Sequence, residues 1–251
     1  MASTRAPASA LALSSLLPLL LPLACATGSS EGEETTFASF GSGNDDLDGG
    51  AQDDYLEGGQ GPDRMAGGTG FDEVSYANRS NPIVVRLTDG ARDGEGVTGS
   101  GSNLSADCVG LFCDEVRPDN EKIVGGSAAD VLDGDNADQT LIGGPGDDAL
   151  TGHSGIDRFE GGSGKDDARD GDYAYSNPDP AGKGDTFLMG DGDDYVGGSG
   201  GDEHIELGDG DDRGALSGTG KVFLDMGPGN DTFDTDKGDH TVIGGGGNDR
   251  L

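Results

Sequence analysis

Tryptophan is absent from this 251-residue chain, and all aromatic residues together make up 5% of it. A conventional core packed from large rings is thereby excluded, so whatever apolar surface is buried must be buried thinly. Bases are scarce as well: 15 Lys and Arg stand against 49 Asp and Glu, a formal charge of −34. Nucleic-acid binders need basic patches, so that partner is excluded, and so is an anionic membrane surface. Carboxylates at this density need counter-charge, which points to metal cations as partners. The three histidines, His153, His204 and His240, form no His-Glu-x-x-His pattern, and no Gly-x-Ser-x-Gly elbow is present. There is one long apolar run, Leu11 to Leu23, and Pro18 and Pro22 interrupt it. It is too short for a membrane span.

That run reads as the centre of a targeting segment, residues 1–26, with Arg5 and the amino terminus as its weakly positive start. Ala24-Cys25-Ala26 fits the small-x-small pattern of ordinary signal peptidase, which would make Thr27 the first mature residue. Leu23-Ala24-Cys25 resembles the end of a bacterial lipobox, which would leave Cys25 acylated as a membrane anchor; Pro22 departs from the usual leucine. Both readings place the protein outside the cytoplasm of a bacterium, extracellular or at the cell surface. Cys108 and Cys113 then remain as an even pair, spaced to close a small loop in an oxidising compartment. A zinc site there would lack further cysteines and any nearby histidine.

Glycine is what the chain has in abundance, at 50 residues, and much of it is periodic. Three consecutive nonamers run Gly49–Glu57, Gly58–Ala66 and Gly67–Ser75, and a fourth, lacking only its first glycine, ends at Asp48. Each has glycine at places 1, 2 and usually 4, aspartate at place 6 and an apolar residue at place 8. Asp45, Asp54, Asp63 and Asp72 are thus nine apart, as are Leu47, Leu56, Met65 and Val74. Glycines allow the positive φ of a tight loop and let carbonyls converge. Aspartate supplies a hard oxygen suited to calcium. Places 7 to 9 make a short strand whose alternation sends only place 8 inward. Two loops and two strands complete a turn, so Asp45 should lie near Asp63, and Asp54 near Asp72. A disordered Gly/Asp linker would not need apolar residues locked to place 8.

The frame resembles the RTX, or hemolysin-type, calcium-binding nonapeptide repeat. The resemblance implies an all-β fold, a parallel β-roll (β-solenoid), with several Ca2+ ions held between loops by place-6 carboxylates and loop carbonyls. Residues 27–40 read as a linker and 41–75 as a first array. Residues 76–124 break the frame as a β-rich insertion carrying Pro82–Leu87 and the Cys108/Cys113 loop. A second array, 125–169, keeps place 6 at Asp130, Gln139, Asp148, Asp157 and Asp166, over Leu132, Leu141, Leu150, Phe159 and Ala168 at place 8. Gln139 has lost the carboxylate, so a weak or empty site is expected there. Residues 170–181 read as an irregular excursion. A third, less regular array, 182–251, places Asp185, Asp194, Asp202, Asp212, Asp231 and Asp249 at place 6, with Val222 and His240 where aspartates would fall. The expected metal ligands are the aspartates at place 6 in all three arrays. Leu251 falls at place 8 of a nonamer, with no distinct C-terminal export region after it, which fits the N-terminal leader.

Paired acids such as Asp147-Asp148 and Asp166-Asp167 follow from this frame without acid–base catalysis, and nothing outside the arrays exceeds about fifty residues, too little for a catalytic domain. The expectation is a non-enzymatic calcium-binding module, structural or adhesive at the cell surface and folding on calcium. The alternative is an accessory or polysaccharide-binding module of a secreted enzyme system, or a fragment of a longer RTX protein. A groove of ordered aromatics would favour polysaccharide, and the chain has few.

Overall fold

A computed structural model describes residues 25–27, 35–36, 43–61, 63–87, 114–171, 183–198, 201–217, 220–235 and 238–251. Most of the leader, most of the linker, the Cys108/Cys113 loop and most of the excursion lie outside the described residues. The described residues contain strands and turns and no helix. They wind into a parallel β-solenoid of about 9 turns. One face is a ten-stranded sheet in chain order: Thr35–Thr36, Asp54–Leu56, Glu73–Ser75, Lys122–Val124, Thr140–Pro145, Arg158–Ser163, Thr186–Asp191, His204–Asp209, Phe223–Asp225 and Thr241–Ile243. The other face is divided. A four-stranded sheet joins Cys25–Thr27, Asp46–Ala51, Arg64–Thr69 and Glu115–Val116. A seven-stranded sheet runs from Val84–Arg86 through Val131–Asp133, Ala149–Thr151, Asp167–Arg169, Tyr195–Gly198 and Arg213–Leu216 to Thr232–Asp234.

Register is set by place 8. Leu132 pairs with Leu150, Leu150 with Ala168, and Leu141 with Phe159, each eighteen residues on. These side chains point between the two faces, where Leu47, Leu56, Met65, Val74, Leu132, Leu141, Leu150 and Phe159 are fully buried. Their neighbours at places 7 and 9 face outward. Phe159 stacks on Phe187, ring centroids 4.7 Å apart at 10°. In so thin a core no neighbour can fill the space they would leave. Phe159→Ala should therefore lower stability by about 3–5 kcal/mol, read as a fall in thermal midpoint at saturating calcium.

The excursion does not end the coil. Phe159 pairs with Phe187 and Ala168 with Val196, both twenty-eight residues on, so both faces continue although the spacing is ten residues longer than a turn. The insertion behaves differently from a plain interruption. Its strands join the sheets of the coil: Glu115–Val116 beside Arg64–Met65, Lys122–Val124 beside both Glu73–Ser75 and Thr140–Ile142, and Val84–Arg86 beside Val131–Asp133. Chain that lacks the nonamer frame thus supplies the next turn of the coil.

The glycines allow the coils to stack. At Gly162 (φ 115°) and Gly164 (φ 132°) an added Cβ would strike the carbonyls of Gly144 and Gly146, one turn earlier. Both the left-handed φ and the close backbone approach exclude a side chain at these two places.

Candidate metal centre

Each place-6 aspartate sits at the hinge where loop becomes strand, and its two carboxylate oxygens do different things. The Oδ1 atom accepts the backbone N–H of the place-6 residue one turn earlier. Asp130 N–H donates to Asp148 at 2.7 Å, Asp148 to Asp166 at 2.9 Å, Asp166 to Asp194 at 2.8 Å and Asp194 to Asp212 at 2.8 Å. The same bond joins Asp45 to Asp63 at 2.9 Å and Asp54 to Asp72 at 2.8 Å, the two juxtapositions expected from the eighteen-residue turn. The Oδ2 atom turns back over the loop. At Asp63, Asp72, Asp148, Asp166, Asp194, Asp212 and Asp231 it is buried without a hydrogen-bond partner among the described residues.

Where place 1 is glycine, Oδ2 takes the space a side chain would fill; below Asp194, Asp212 and Asp231 place 1 is instead Met189, Leu207 and Met226, all buried. A Cβ on Gly143 would fall on Asp148 Oδ2, and one on Gly161 would fall 2.5 Å from Asp166 Oδ2. Backbone carbonyl oxygen from the next turn reaches the same points, Gly161 O at 2.8 Å from the Gly143 position and Met189 O at 2.6 Å from the Gly161 position. A carboxylate oxygen and a carbonyl oxygen therefore converge at Gly49, Gly125, Gly143 and Gly161. Burying a carboxylate oxygen with no donor is costly, and repeating it along a stack concentrates like charge. A set of oxygen donors with uncompensated negative charge suits a hard divalent cation, and calcium's flexible oxygen coordination suits it best.

The electrostatics agree. Burial pushes the carboxyl groups of Asp63, Asp72, Asp166 and Asp194 up to about 6, only partly offset by the backbone N–H each accepts. Asp148 and Asp212 rise to about 7 by burial, with neighbouring aspartates adding to the rise. Burial also raises Asp130 and Asp231. Each of these groups resists carrying its charge until a cation shares the space.

The expected ligand positions divide as follows. Asp54, Asp63, Asp72, Asp130, Asp148, Asp157, Asp166, Asp185, Asp194, Asp212 and Asp231 are buried at place 6, Asp45 is half-buried, and Asp249 is exposed while still accepting Asp231 N–H at 3.2 Å. Asp202 must be corrected. Strand His204–Asp209 lies beside Thr186–Asp191 in eighteen-residue register, so Glu203 falls level with Asp185 and takes its N–H at 2.8 Å. Glu203 is buried, while Asp202 is exposed at place 5 and accepts Lys221 N–H instead. The shift also moves His204 to place 7, stacked on Phe223, and gives place 8 to Ile205. The acids Asp170, Asp185 and Glu203 can bring one ligand atom each within 4.8 Å of one another. Asp170 stands there in the position of a place-1 glycine.

Two further place-6 carboxylates come from the insertion, where no nonamer signals them. Asp114 accepts Asp63 N–H at 2.8 Å, and Glu121 accepts Asp72 N–H at 2.8 Å. Burial raises the Asp114 carboxyl to about 7. The signal available was Asp-Glu-Val and Glu-Lys-Ile-Val, an acid two residues ahead of an apolar residue. Place 5 has a role too. Asp53, Asp138, Asp147, Asp193 and Asp211 each accept a backbone N–H from the following turn, at 2.8–2.9 Å. The acid doublets thus form two hydrogen-bonded ladders of opposite direction.

Where the frame lost its aspartate, the loop closes on itself. Gln139 Nε2 donates to Asp135 Oδ1, and its Oε1 accepts Asp135 N–H at 3.1 Å. In the same region His153 Nε2 lies 2.6 Å from Asp133 Oδ1, and Arg86 lies 3.6 Å from the other Asp133 oxygen. An amide donor stands there in place of a cation. Val222 and His240 lie level with Glu203 in the same ladder and also bring no carboxylate.

Comparison with known families gives one match, to the RTX calcium-binding nonapeptide repeat, in four copies at residues 41–74, 118–150, 133–168 and 227–251. No curated protein matches the chain.

Proposed function

Because the chain is built of RTX calcium-binding nonapeptide repeats wound into a parallel β-roll, we propose that it is a non-enzymatic extracellular protein that folds on calcium and serves a structural or adhesive role at the cell surface. The observation that carries the reading is the series of buried Oδ2 atoms without a partner among the described residues, with Asp63, Asp72, Asp148 and Asp166 turned over place-1 glycines. The N-terminal segment supports export, by a cleaved leader or through acylated Cys25. The place-6 aspartates, with Glu203 in place of Asp202, are the ligands. Partners beyond calcium would meet the outer faces of the roll, where places 7 and 9 alternate acids with a few bases and rings.

Metal counting on the mature protein after dialysis against micromolar to millimolar calcium tests this reading. Several ions should bind per chain, with affinities of order 10⁻⁴–10⁻³ M as at other extracellular modules. Asp148→Ala should lower both the count and the affinity, because Asp148 contributes Oδ2 to one loop and ties two turns through Oδ1. Gln139→Ala should leave both unchanged. Equal losses in the two variants would contradict this ligand set.

A further inference from the structure

The insertion returns to the coil through a tight turn, Arg117 to Glu121, which packs against the loop Gly67–Asp72. At a regular place-1 glycine the converging carbonyl belongs to the equivalent residue of the next turn, as Gly67 O does at Gly49. At Gly67 there is no such residue, because the next turn is forty-nine residues away and lacks the nonamer loop. The carbonyl of Asp119 takes its place. Asp119 O and Asp72 Oδ2 both lie 2.5 Å from the point a Cβ on Gly67 would occupy. Asp72 is completely buried, its Oδ1 accepts Asp54 N–H, and its Oδ2 has no partner among the described residues.

The turn brings more oxygen than the coil geometry needs. Asp119 Oδ1 is buried and unpartnered among the described residues, and so is Oδ1 of Asn120, a residue only 1% exposed. Asn120 Nδ2 donates to Arg117 O at 2.8 Å, which fixes the turn, and Glu121 accepts Asp72 N–H, which fixes its register. The Asp119 carboxylate acts electrostatically on Asp72 across this gap. A buried carboxylate oxygen and a main-chain carbonyl are therefore gathered at Gly67, with the Asp119 carboxylate on the same turn.

We propose that the Arg117–Glu121 turn completes a calcium site with the Gly67–Asp72 loop, in which Asp72 Oδ2, the Asp119 carbonyl and the Asp119 carboxylate are ligands. This rests on the calcium-binding reading above and goes beyond it, since Asp119 lies outside the place-6 frame and belongs to the insertion. The ion would clamp the returning chain to the first array, closing a loop of about fifty residues rather than eighteen. Closing the longer loop costs more chain entropy, so this junction depends most on its ion.

The test uses the full mature chain and calcium alone. Bound calcium is counted by equilibrium dialysis for wild type, Asp119→Ala, Asp119→Asn and Arg117→Ala, with circular dichroism at saturating calcium as the check on folding. Asp119→Ala should bind one ion fewer at concentrations that just fill the wild type. Asp119→Asn, which keeps a neutral oxygen, should recover that ion at roughly tenfold higher calcium. Arg117→Ala, whose side chain pairs with Glu115 across 2.9 Å, should match the wild type. Wild-type counts in Asp119→Ala would overturn the proposal while leaving the repeat sites standing. Equal loss in Arg117→Ala would overturn it too, by showing that the turn's integrity alone matters. A wild type that binds no calcium would remove the repeat reading and this one together.

Discussion

Stripping calcium with a chelator at neutral pH is expected to abolish the folded coil, with loss of the β-signature in circular dichroism and of any thermal transition. The core explains why. A turn of the second array buries two place-8 side chains, such as Leu141 and Leu150, and a turn of the third adds one more, as Met189 or Leu207. A fully buried Leu contributes about 1.5–3 kcal/mol, while every ordered residue of the turn loses backbone freedom. The place-6 carboxylates oppose folding further, since Asp148, Asp166, Asp194 and Asp212 follow one another up the stack with buried, unpartnered oxygens. Calcium reverses that sign. A site filled at ten times its Kd adds about 1.4 kcal/mol by mass action, so several such sites reach the whole stability of an ordinary domain, ~5–15 kcal/mol. Binding should be cooperative, because each carboxylate that faces an ion also holds the N–H of the preceding turn. Such a chain would stay unfolded in a calcium-poor cytoplasm and harden after export. A chelated protein that keeps its full β-signature and the same thermal midpoint would refute this.

Much of this was legible in the residues because the period is strict. Nine-residue spacing of Asp and of an apolar residue determines the strand, its inward face and the eighteen-residue turn, and the pairing of Leu132 with Leu150 follows directly. What escaped the pattern did so for definable reasons. Asp202 and Glu203 are adjacent acids, and which one reaches the ladder depends on a register that Gly197–Gly201 leaves ambiguous and the pairing of Phe187 with Ile205 decides. Asp114 follows a single glycine, Gly110, and the five residues before Glu121 contain none, so no repeated loop signal marks them, and the packing of Val116 beside Met65 and Ile123 beside Val74 brings them into line. The continuity of the coil past residues 172–182 was hidden for a related reason. Ten additional residues break the numerical period without breaking either sheet. The place-5 ladder lay in plain view as the repeated acid doublet, but its hydrogen bonds run between turns and have no local signature.

Acid should substitute for calcium: in excess chelator, lowering the pH from 8 to 5 is expected to restore compact β-structure. The sign follows from the raised carboxyls. Asp63, Asp72, Asp166 and Asp194 are pushed to about 6, and Asp114, Asp148 and Asp212 to about 7, with burial the leading cause in each. In the unfolded chain the same groups titrate near 3.9. Between those values the metal-free coil binds protons that the unfolded chain does not, so its stability is fullest below the unfolded value and is lost as the pH rises through 6 and 7. Seven groups acting in one window make the change steep. General loss of the −34 charge also favours compaction, but ordinary carboxylates lose their charge near pH 4, so a midpoint above about 5.5 identifies the buried ladder. With calcium present the dependence inverts, because protons compete for the same oxygens and affinity falls as the pH drops below 7. Asp148→Asn separates the two effects. It mimics the protonated carboxyl, so it should raise the stability of the metal-free protein at pH 8 while weakening calcium binding, and Gln139 beside Asp135 already shows an amide closing a loop in this way. Circular dichroism against pH, run with chelator and with calcium on both proteins, reads all four arms. Identical spectra at pH 5 and pH 8 for the chelated wild type would exclude the buried carboxylates as the element that calcium neutralises.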